Sequence, residues 1–324
     1  MQVFFGLNTF PKYFAGSVAA IGVFDGLHRA HMKIIENVVQ RSIDLKTYPM
    51  LITFEPHPKI IRGELSDIGG ILTSPKEKMR LLKHSGLEAI LFLKSDEELL
   101  DMPPESFVKN VLMGHIRLKE LVVGFDYKFG KDRRGDVYDL KRYSKKYGFG
   151  LTVVNPIKEA NFMIKSSQIR KYLLSGEVEK ANKLLGRYYS LTGFVVHGEG
   201  RGREIGYPTA NIKLPYSYKL VPRTGTYFTK VYLRGIYKYG LCNIGYRPTF
   251  EGSELSIEVY IFDPEEPELY GMELDLFFIK RLRDEKKFDS VGQLREQIEK
   301  DKRECLKIIE NLRDEMEVGI YGSI

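Results

Sequence analysis

The chain carries only two cysteines, Cys242 and Cys305, among its 324 residues. They are too few and too far apart for a disulfide framework or a zinc site. No apolar run approaches the roughly 18 residues of a membrane span. The N-terminal stretch lacks a basic segment followed by a long apolar one, so no secretion signal is expected and a cytoplasmic location is. Two nucleotide fingerprints are also missing. Gly130-Lys131 is followed by Asp132 and lacks the earlier glycine of a P-loop, and the glycines between positions 198 and 206 do not fit G-x-G-x-x-G. No Ser-His-Asp or Cys-His arrangement, internal repeat or low-complexity segment is visible. Hydrophobic content of 43% and charged content of 29% are ordinary for a soluble protein, and the length gives room for about two domains. The net charge of +7 suits anionic ligands without choosing between nucleotides, nucleic acid and an acidic membrane.

What is present changes character near Gly186. Before it, apolar strand-like runs at Ser17–Phe24, Met50–Phe54, Ala89–Leu93, Leu121–Val123 and Leu151–Val154 alternate with helical patterns. The helical segments are His28–Ile43, Pro75–Ser85, Pro104–Gly114 and Leu140–Tyr147. This alternation predicts a Rossmann-like parallel sheet covered on both faces, with ligands at the carboxyl ends of its strands. After Gly186, the segments Val195–His197, Thr226–Leu233, Lys238–Ile244, Leu255–Phe262 and Glu273–Ile279 are strand-like with no helix-length gaps. An antiparallel barrel or sandwich is expected there. A helix closes the chain, with Ser290 and Gln293 as a capping box and an apolar stripe of Val291, Leu294, Ile298, Cys305, Ile308 and Leu312.

The most informative stretch runs from Gly193 to Asn211. Gly198, Gly200, Gly202 and Gly206, with Arg201 and Arg203 between them, suit a loop whose backbone N–H groups approach phosphate. In an extended segment Thr209 and Asn211 would place two hard oxygens on one face, suited to Mg²⁺ with substrate phosphates. The rival reading is a polar hairpin. In the first half, His28 and His31 lie three apart where a strand turns into a helix, beside a positive helix N-terminus. Phosphate binding, a two-histidine metal site and two unrelated surface histidines all remain open on spacing alone. Ser166, Ser167 and Arg170, with Lys165, could form a second phosphate site at a helix start, or Ser-Ser could simply be a cap. Asp126 and Phe129 follow a strand and should emerge at the sheet's carboxyl edge, although Phe129 could equally be core; Phe54 has the same ambiguity. Alternation puts Ile257, Val259 and Ile261 on one strand face and Ser256, Glu258 and Tyr260 on the other. Glu258 is then either a general base or a solvated carboxylate. Asn243 to Thr249, which includes Arg247, reads as a turn-rich loop able to contact a ligand.

In order and over residues 17 to 303, these motifs resemble the bacterial bifunctional riboflavin kinase/FAD synthetase family, most specifically in Gly206-Tyr207-Pro208-Thr209-Ala210-Asn211. The resemblance implies an α/β nucleotidyltransferase-type domain over 1–185 and a six-stranded kinase barrel with a C-terminal helix over 186–324. It implies riboflavin phosphorylation to FMN, followed by FMN adenylylation to FAD with release of pyrophosphate. ATP and flavins would be the partners, Mg²⁺ would accompany ATP, and no nucleic acid, membrane or obligatory protein partner is implied. By position, Gly22, Asp25, His28, His31, Ser166, Ser167 and Arg170 match the ATP and phosphate set of the first domain, with His28 and His31 also acting on the transition state. Gly200, Gly202 and Gly206 match the kinase phosphate loop, Thr209 and Asn211 its metal ligands, and Glu258 its catalytic base. Phe54, Asp126, Phe129, Asn243, Arg247 and Arg283 are the corresponding flavin contacts. Two departures stand out: Ala30 replaces the glycine between the histidines, and Lys165 with Gln168 alters the Ser-Ser-Thr-type motif. The Ala30 methyl would crowd a phosphate, or require a conformation that glycine reaches most cheaply. Three further readings are a kinase with a degenerate first domain, another nucleotidyltransferase fused to a small-ligand barrel, and a non-enzymatic RNA- or flavin-binding regulator.

Overall fold

A computed structural model describes residues 1–159, 162–198, 202, 205–249, 252–262 and 269–317. The chain divides into two compact units. The first comprises Met1–Arg170, Leu184–Gly186 and Tyr218–Leu220, and the second Lys171–Lys183, Arg187–Ser217 and Val221–Ile324.

In the first unit, β1 (Gln2–Phe5), β2 (Val18–Ile21), β3 (Pro49–Glu55), β4 (Ala89–Lys94), β5 (Glu120–Gly124) and β6 (Gly150–Val154) form one sheet. The order is β1-β4-β3-β2-β5-β6 and every pairing is parallel. β1 is the strand that the sequence pattern did not show; it pairs along the edge with β4. Alternation along each strand builds two cores. Ala19, Ile21, Met50, Ile52, Leu91 and Leu121 face one layer, and Val18, Ala20, Leu51, Ile90, Phe92 and Val122 face the other. Helix Arg29–Leu45 covers the second face through Ile35 and Val38. Helix Val137–Tyr147 and the segment after Pro104 cover the first. That segment, expected as an ordinary helix, is π-wound over Phe107–Ile116. Sheet order reverses between β2 and β5, so the chain leaves these neighbours in opposite directions and opens a crevice at their carboxyl ends. A short hairpin, β7 (Lys158–Glu159) with β8 (Phe162–Met163), precedes helix Ser166–Ser175.

In the second unit, β9 (Tyr189–Val196), β10 (Ala210–Lys213), β11 (Gly225–Leu233), β12 (Ile236–Thr249), β13 (Gly252–Ile261) and β14 (Glu273–Arg283) close into an antiparallel barrel. Leu233 pairs with Ile236, so Arg234 and Gly235 alone turn the β11–β12 hairpin, both at positive φ (50° and 84°). Two positive φ values are what a tight hairpin following the sheet twist demands. β12 runs on to Thr249, so the expected loop from Asn243 is strand, paired throughout with β13. Cys242, Ile244, Ile257 and Val259 are buried on one face of the β12–β13 pair. Leu241 and Tyr260 on the alternate face, with Phe228 and Ile279, meet Cys305 and Ile309 of helix Val291–Glu317. Val291 is exposed instead of packed, and the side chain of Leu312 lies outside the described residues. Only half of the expected capping box forms: Ser290 Oγ accepts from Gln293 N, whereas Gln293 Oε1 takes Asp289 N.

Candidate functional site

The first site is a turn at the carboxyl end of β2. Gly22 to His28 leaves the sheet through two non-glycine residues with left-handed backbone, Phe24 (φ 48°) and Leu27 (φ 40°). Such positions cost of order 1–3 kcal/mol each and persist where their surroundings hold them. Asp25 supplies that hold. Its buried carboxylate accepts from the amides of Leu72 (2.9 and 3.0 Å) and Thr73 (2.9 Å) and pairs with Arg170. Burial alone would raise the Asp25 pKa; the Arg170 charge, His57 and the Leu72 amide outweigh it and hold the carboxyl below its ordinary value. Ser166 Oγ donates to the Asp25 carbonyl (2.8 Å), and Arg170 Nε to the Gly70 carbonyl (3.1 Å). The segments around positions 25 and 170 are therefore brought together as expected, but Asp25 and Arg170 face each other instead of open solvent. Ser167 is exposed.

His28 caps helix Arg29–Leu45. Its Nδ1 accepts from His31 N (3.3 Å), which places the proton of the neutral ring on Nε2. The two imidazoles stack with centroids 3.6 Å apart and planes 15° from parallel. Ala30 sits inside the helix and is absent from the positive-φ positions, so its backbone makes no demand that only glycine meets. Asp126 is exposed just beyond β5, on the other side of the crevice. Phe129 is core: it is 6% exposed and stacks on Tyr127 at 5.7 Å. Phe54 is partly buried against the same core.

Sequence reasoning missed Lys78. This fully buried lysine donates from Nζ to the Val23 carbonyl (2.7 Å) and to Thr53 Oγ1 (3.0 Å), tying the turn to β3. Burial lowers its pKa to about 8 against the opposing pull of Asp25 and Glu55. His57 lies in the same electrostatic cluster; burial, with Arg170, Lys78 and Lys59, lowers it to about 4 although Asp25 pulls upward. A lysine in a capped amphipathic helix carries no local signal that it points inward.

The second site is a row of side chains across the barrel. Asn211 on β10 is directly opposite Glu258 on β13, which is opposite Asn243 on β12. Asn243 is opposite Thr226 on β11, and Thr226 opposite Arg283 on β14. Residues in direct register share a face, so four residues from distant parts of the sequence align with Thr226 in one band. Gly198 makes room for the row: a Cβ there would lie 2.0 Å from Asn211 Nδ2. Thr209 Oγ1 donates to Glu258 Oε2 (3.2 Å). Arg247 reaches Glu258 with Nε (3.2 Å) and with Nη2, and Nη2 also donates to Asn211 Oδ1 (2.6 Å). The Thr209 hydroxyl and the Asn211 carbonyl are hard oxygens that fit a magnesium ion already carrying phosphate ligands, and the Glu258 carboxylate lies beside them. Among the described residues no cluster of three His, Cys, Asp or Glu side chains competes with it.

The expected phosphate loop is only partly described, because Gly200, Arg201 and Arg203 lie outside the described residues. Gly202 accepts from Tyr207 N (2.8 Å), and Gly206 turns with φ 81°. Tyr207 donates to Glu299 Oε1 (2.5 Å) and Arg295 Nε to the Ile205 carbonyl (3.0 Å), so the closing helix anchors this loop. The same helix holds Arg283 through Asp301 (2.9 Å). Both cysteines are buried and their thiols pushed up, Cys305 to about 12, by burial first and by nearby carboxylates. Neither is a nucleophile.

A parallel α/β nucleotidyltransferase-type unit joined to a closed antiparallel six-stranded barrel defines the class. The comparisons narrow it. Residues 11–168 match the FAD synthetase family and residues 185–309 the riboflavin kinase family. The bifunctional riboflavin kinase/FMN adenylyltransferase of Bacillus subtilis is 37% identical over 92% of this chain and 94% of its own. That of Escherichia coli K12 is 33% identical over 88% and 90%. A solved structure described as a macrolide-efflux protein from Streptococcus pneumoniae superposes with TM-score 0.84 at 31% identity, covering 94% of this chain and 98% of that one. Among the described residues, no helix is long and apolar enough to cross a membrane. The chain belongs to the bifunctional riboflavin kinase/FMN adenylyltransferase family.

Proposed function

We propose that the barrel phosphorylates riboflavin to FMN and that the parallel-sheet unit adenylylates FMN to FAD. The observation that carries this reading is the register of Glu258 between Asn211 and Asn243, which sets one carboxylate between two side-chain amides on a partly exposed strand face, with the Arg247 guanidinium against it. Glu258 accepts the proton of the ribityl 5′-hydroxyl as that oxygen attacks the γ-phosphorus of ATP, giving FMN and ADP. Thr209 and Asn211 hold the Mg²⁺ that accompanies ATP, which when bound neutralises phosphate charge. Asn243 and Arg283, on the same row, contact the flavin.

At the sheet, an oxygen of the FMN phosphate attacks the α-phosphorus of a second ATP, and pyrophosphate leaves. His28 donates from Nε2, and His31 joins it, where charge grows on the phosphates beside the helix N-terminus. Arg170 and Asp25 hold the turn that positions them, and Asp126 reaches the flavin across the crevice. Labelled ATP tests both steps. Phosphorus from the γ position should enter FMN, and phosphorus from the α position should enter FAD only. An α label that stays in ATP and ADP while γ label accumulates in FMN would remove the second activity.

A further inference from the structure

Arg247 was expected to touch flavin, yet its guanidinium is bonded to the candidate base and to a candidate metal ligand. Its backbone on β12 is opposite Glu254, and the side chain runs along the strand face to Glu258, four residues further on. There Nε and Nη2 hold the Glu258 carboxylate, and Nη2 takes Asn211 Oδ1 at 2.6 Å. The cation that belongs to the row, Arg283, is committed to Asp301 at 2.9 Å and does not share this work. Thr209 Oγ1 completes the set by donating to Glu258 Oε2 at 3.2 Å.

We infer that Arg247 is the resident cation of the kinase site, holding Asn211 and Glu258 until the divalent ion of the metal–nucleotide complex displaces it. The inference rests on the reading of Thr209 and Asn211 as metal ligands. A guanidinium has five donors and no acceptor, so it can only occupy the oxygen lone pairs that a metal also needs. Two cations converging on one small oxygen cluster repel strongly in a partly buried site. Arg247 and the metal therefore exclude each other from Asn211 Oδ1. With Arg247 in place the Glu258 carboxylate is neutralised and bonded; with the metal in place it is released to accept a proton. The arrangement ties exposure of the base to arrival of the metal nucleotide, a coupling between two ligands of one site.

The test measures ADP binding to the full chain by calorimetry with and without Mn²⁺, taking as the kinase-site component the one that Asn211→Ala removes. The factor by which Mn²⁺ tightens ADP at that site should be about 5- to 10-fold larger in Arg247→Gln than in the native protein, within the usual range of site-to-site coupling. Arg247→Lys, which keeps the charge, should stay near the native factor. An equal or smaller factor in Arg247→Gln overturns the inference, as does Arg247→Lys behaving like Arg247→Gln. If Asn211→Ala leaves Mn²⁺ tightening unchanged at every ADP site, the metal reading falls and this inference with it. Should Arg247→Gln not fold, the native protein still decides. Its Arg247 Nε–H resonance, assigned by its absence from Arg247→Lys, should shift with Mg²⁺–ADP and not with ADP alone, and a resonance indifferent to the metal overturns the inference.

Discussion

At the scale of single residues, the roles separate by activity. Glu258→Gln keeps the side chain's size and much of its hydrogen bonding but removes the basic carboxylate. Riboflavin phosphorylation should fall by about 10²- to 10⁴-fold, with FAD formation from supplied FMN unchanged. Steady-state rates with each flavin decide; near-native phosphorylation would return Glu258 to the status of a solvated strand residue. His28→Ala or His31→Ala should do the reverse, lowering FAD formation by about 10²- to 10³-fold while sparing the kinase. Ala30→Gly should give no gain in FAD synthesis, because Ala30 occupies an ordinary helical position; a gain would mean that the methyl crowds the phosphates. His57 gives a pH signature. Its folded pKa, lowered to about 4 from the usual 6.5, makes the unfolded chain the better proton binder between those values. Stability contributed by neutral His57 is therefore full above about pH 6.5 and is lost as pH falls toward 4. His57→Gln should narrow the difference between urea midpoints measured at pH 7 and pH 5; an unaltered difference would show that His57 is solvated. The positions of these side chains were partly legible. Strand alternation put Glu258 on the polar face without choosing between a base and a solvated carboxylate, and spacing put His28 and His31 together at a strand-to-helix turn without choosing their role. Asp25 was legible from the pattern only as part of a turn, and its partners were not legible, because Leu72, Thr73 and Arg170 lie 47, 48 and 145 residues away.

At the scale of elements, buried parallel strands announce themselves as short apolar runs, and all five such runs expected in the first half are strands. β1 escaped because Gln2–Phe5 is half exposed on the sheet edge and its pairing depends on β4. The C-terminal part of β12 escaped because Gly245 and Pro248 are loop signals locally, whereas the ladder with β13 decides. The helices before the barrel carry a prediction. Asn182 donates to the Phe278 carbonyl (2.9 Å) and accepts from Tyr189 N (2.7 Å), and the Leu173 carbonyl accepts from Arg223 N (3.0 Å). Leu173 and Asn182 lie upstream of Gly186, where the sequence changes character, yet they belong to the barrel unit. A fragment beginning at Lys171 should therefore fold and make FMN, and one beginning at Gly186 should melt at a lower temperature. Equal melting temperatures would show that Leu173 and Asn182 add nothing to the barrel.

At the scale of the whole molecule, two units with separate cores carry two separate phosphate chemistries, and neither needs a protein nucleophile. The sequence pattern could assign a fold to each half because the period of its apolar residues changes near Gly186. It could not show that Asn211, Glu258, Asn243 and Arg283 fall on one row, since register across a closed barrel is set by pairing between strands far apart in sequence. The two activities must then appear in sequence from one chain. The direct measurement is a time course of the full protein with riboflavin, ATP and Mg²⁺, separating FMN from FAD. FMN should appear first, and FAD should follow as FMN accumulates. FMN without FAD would contradict the two-site account, and the absence of both would contradict it entirely.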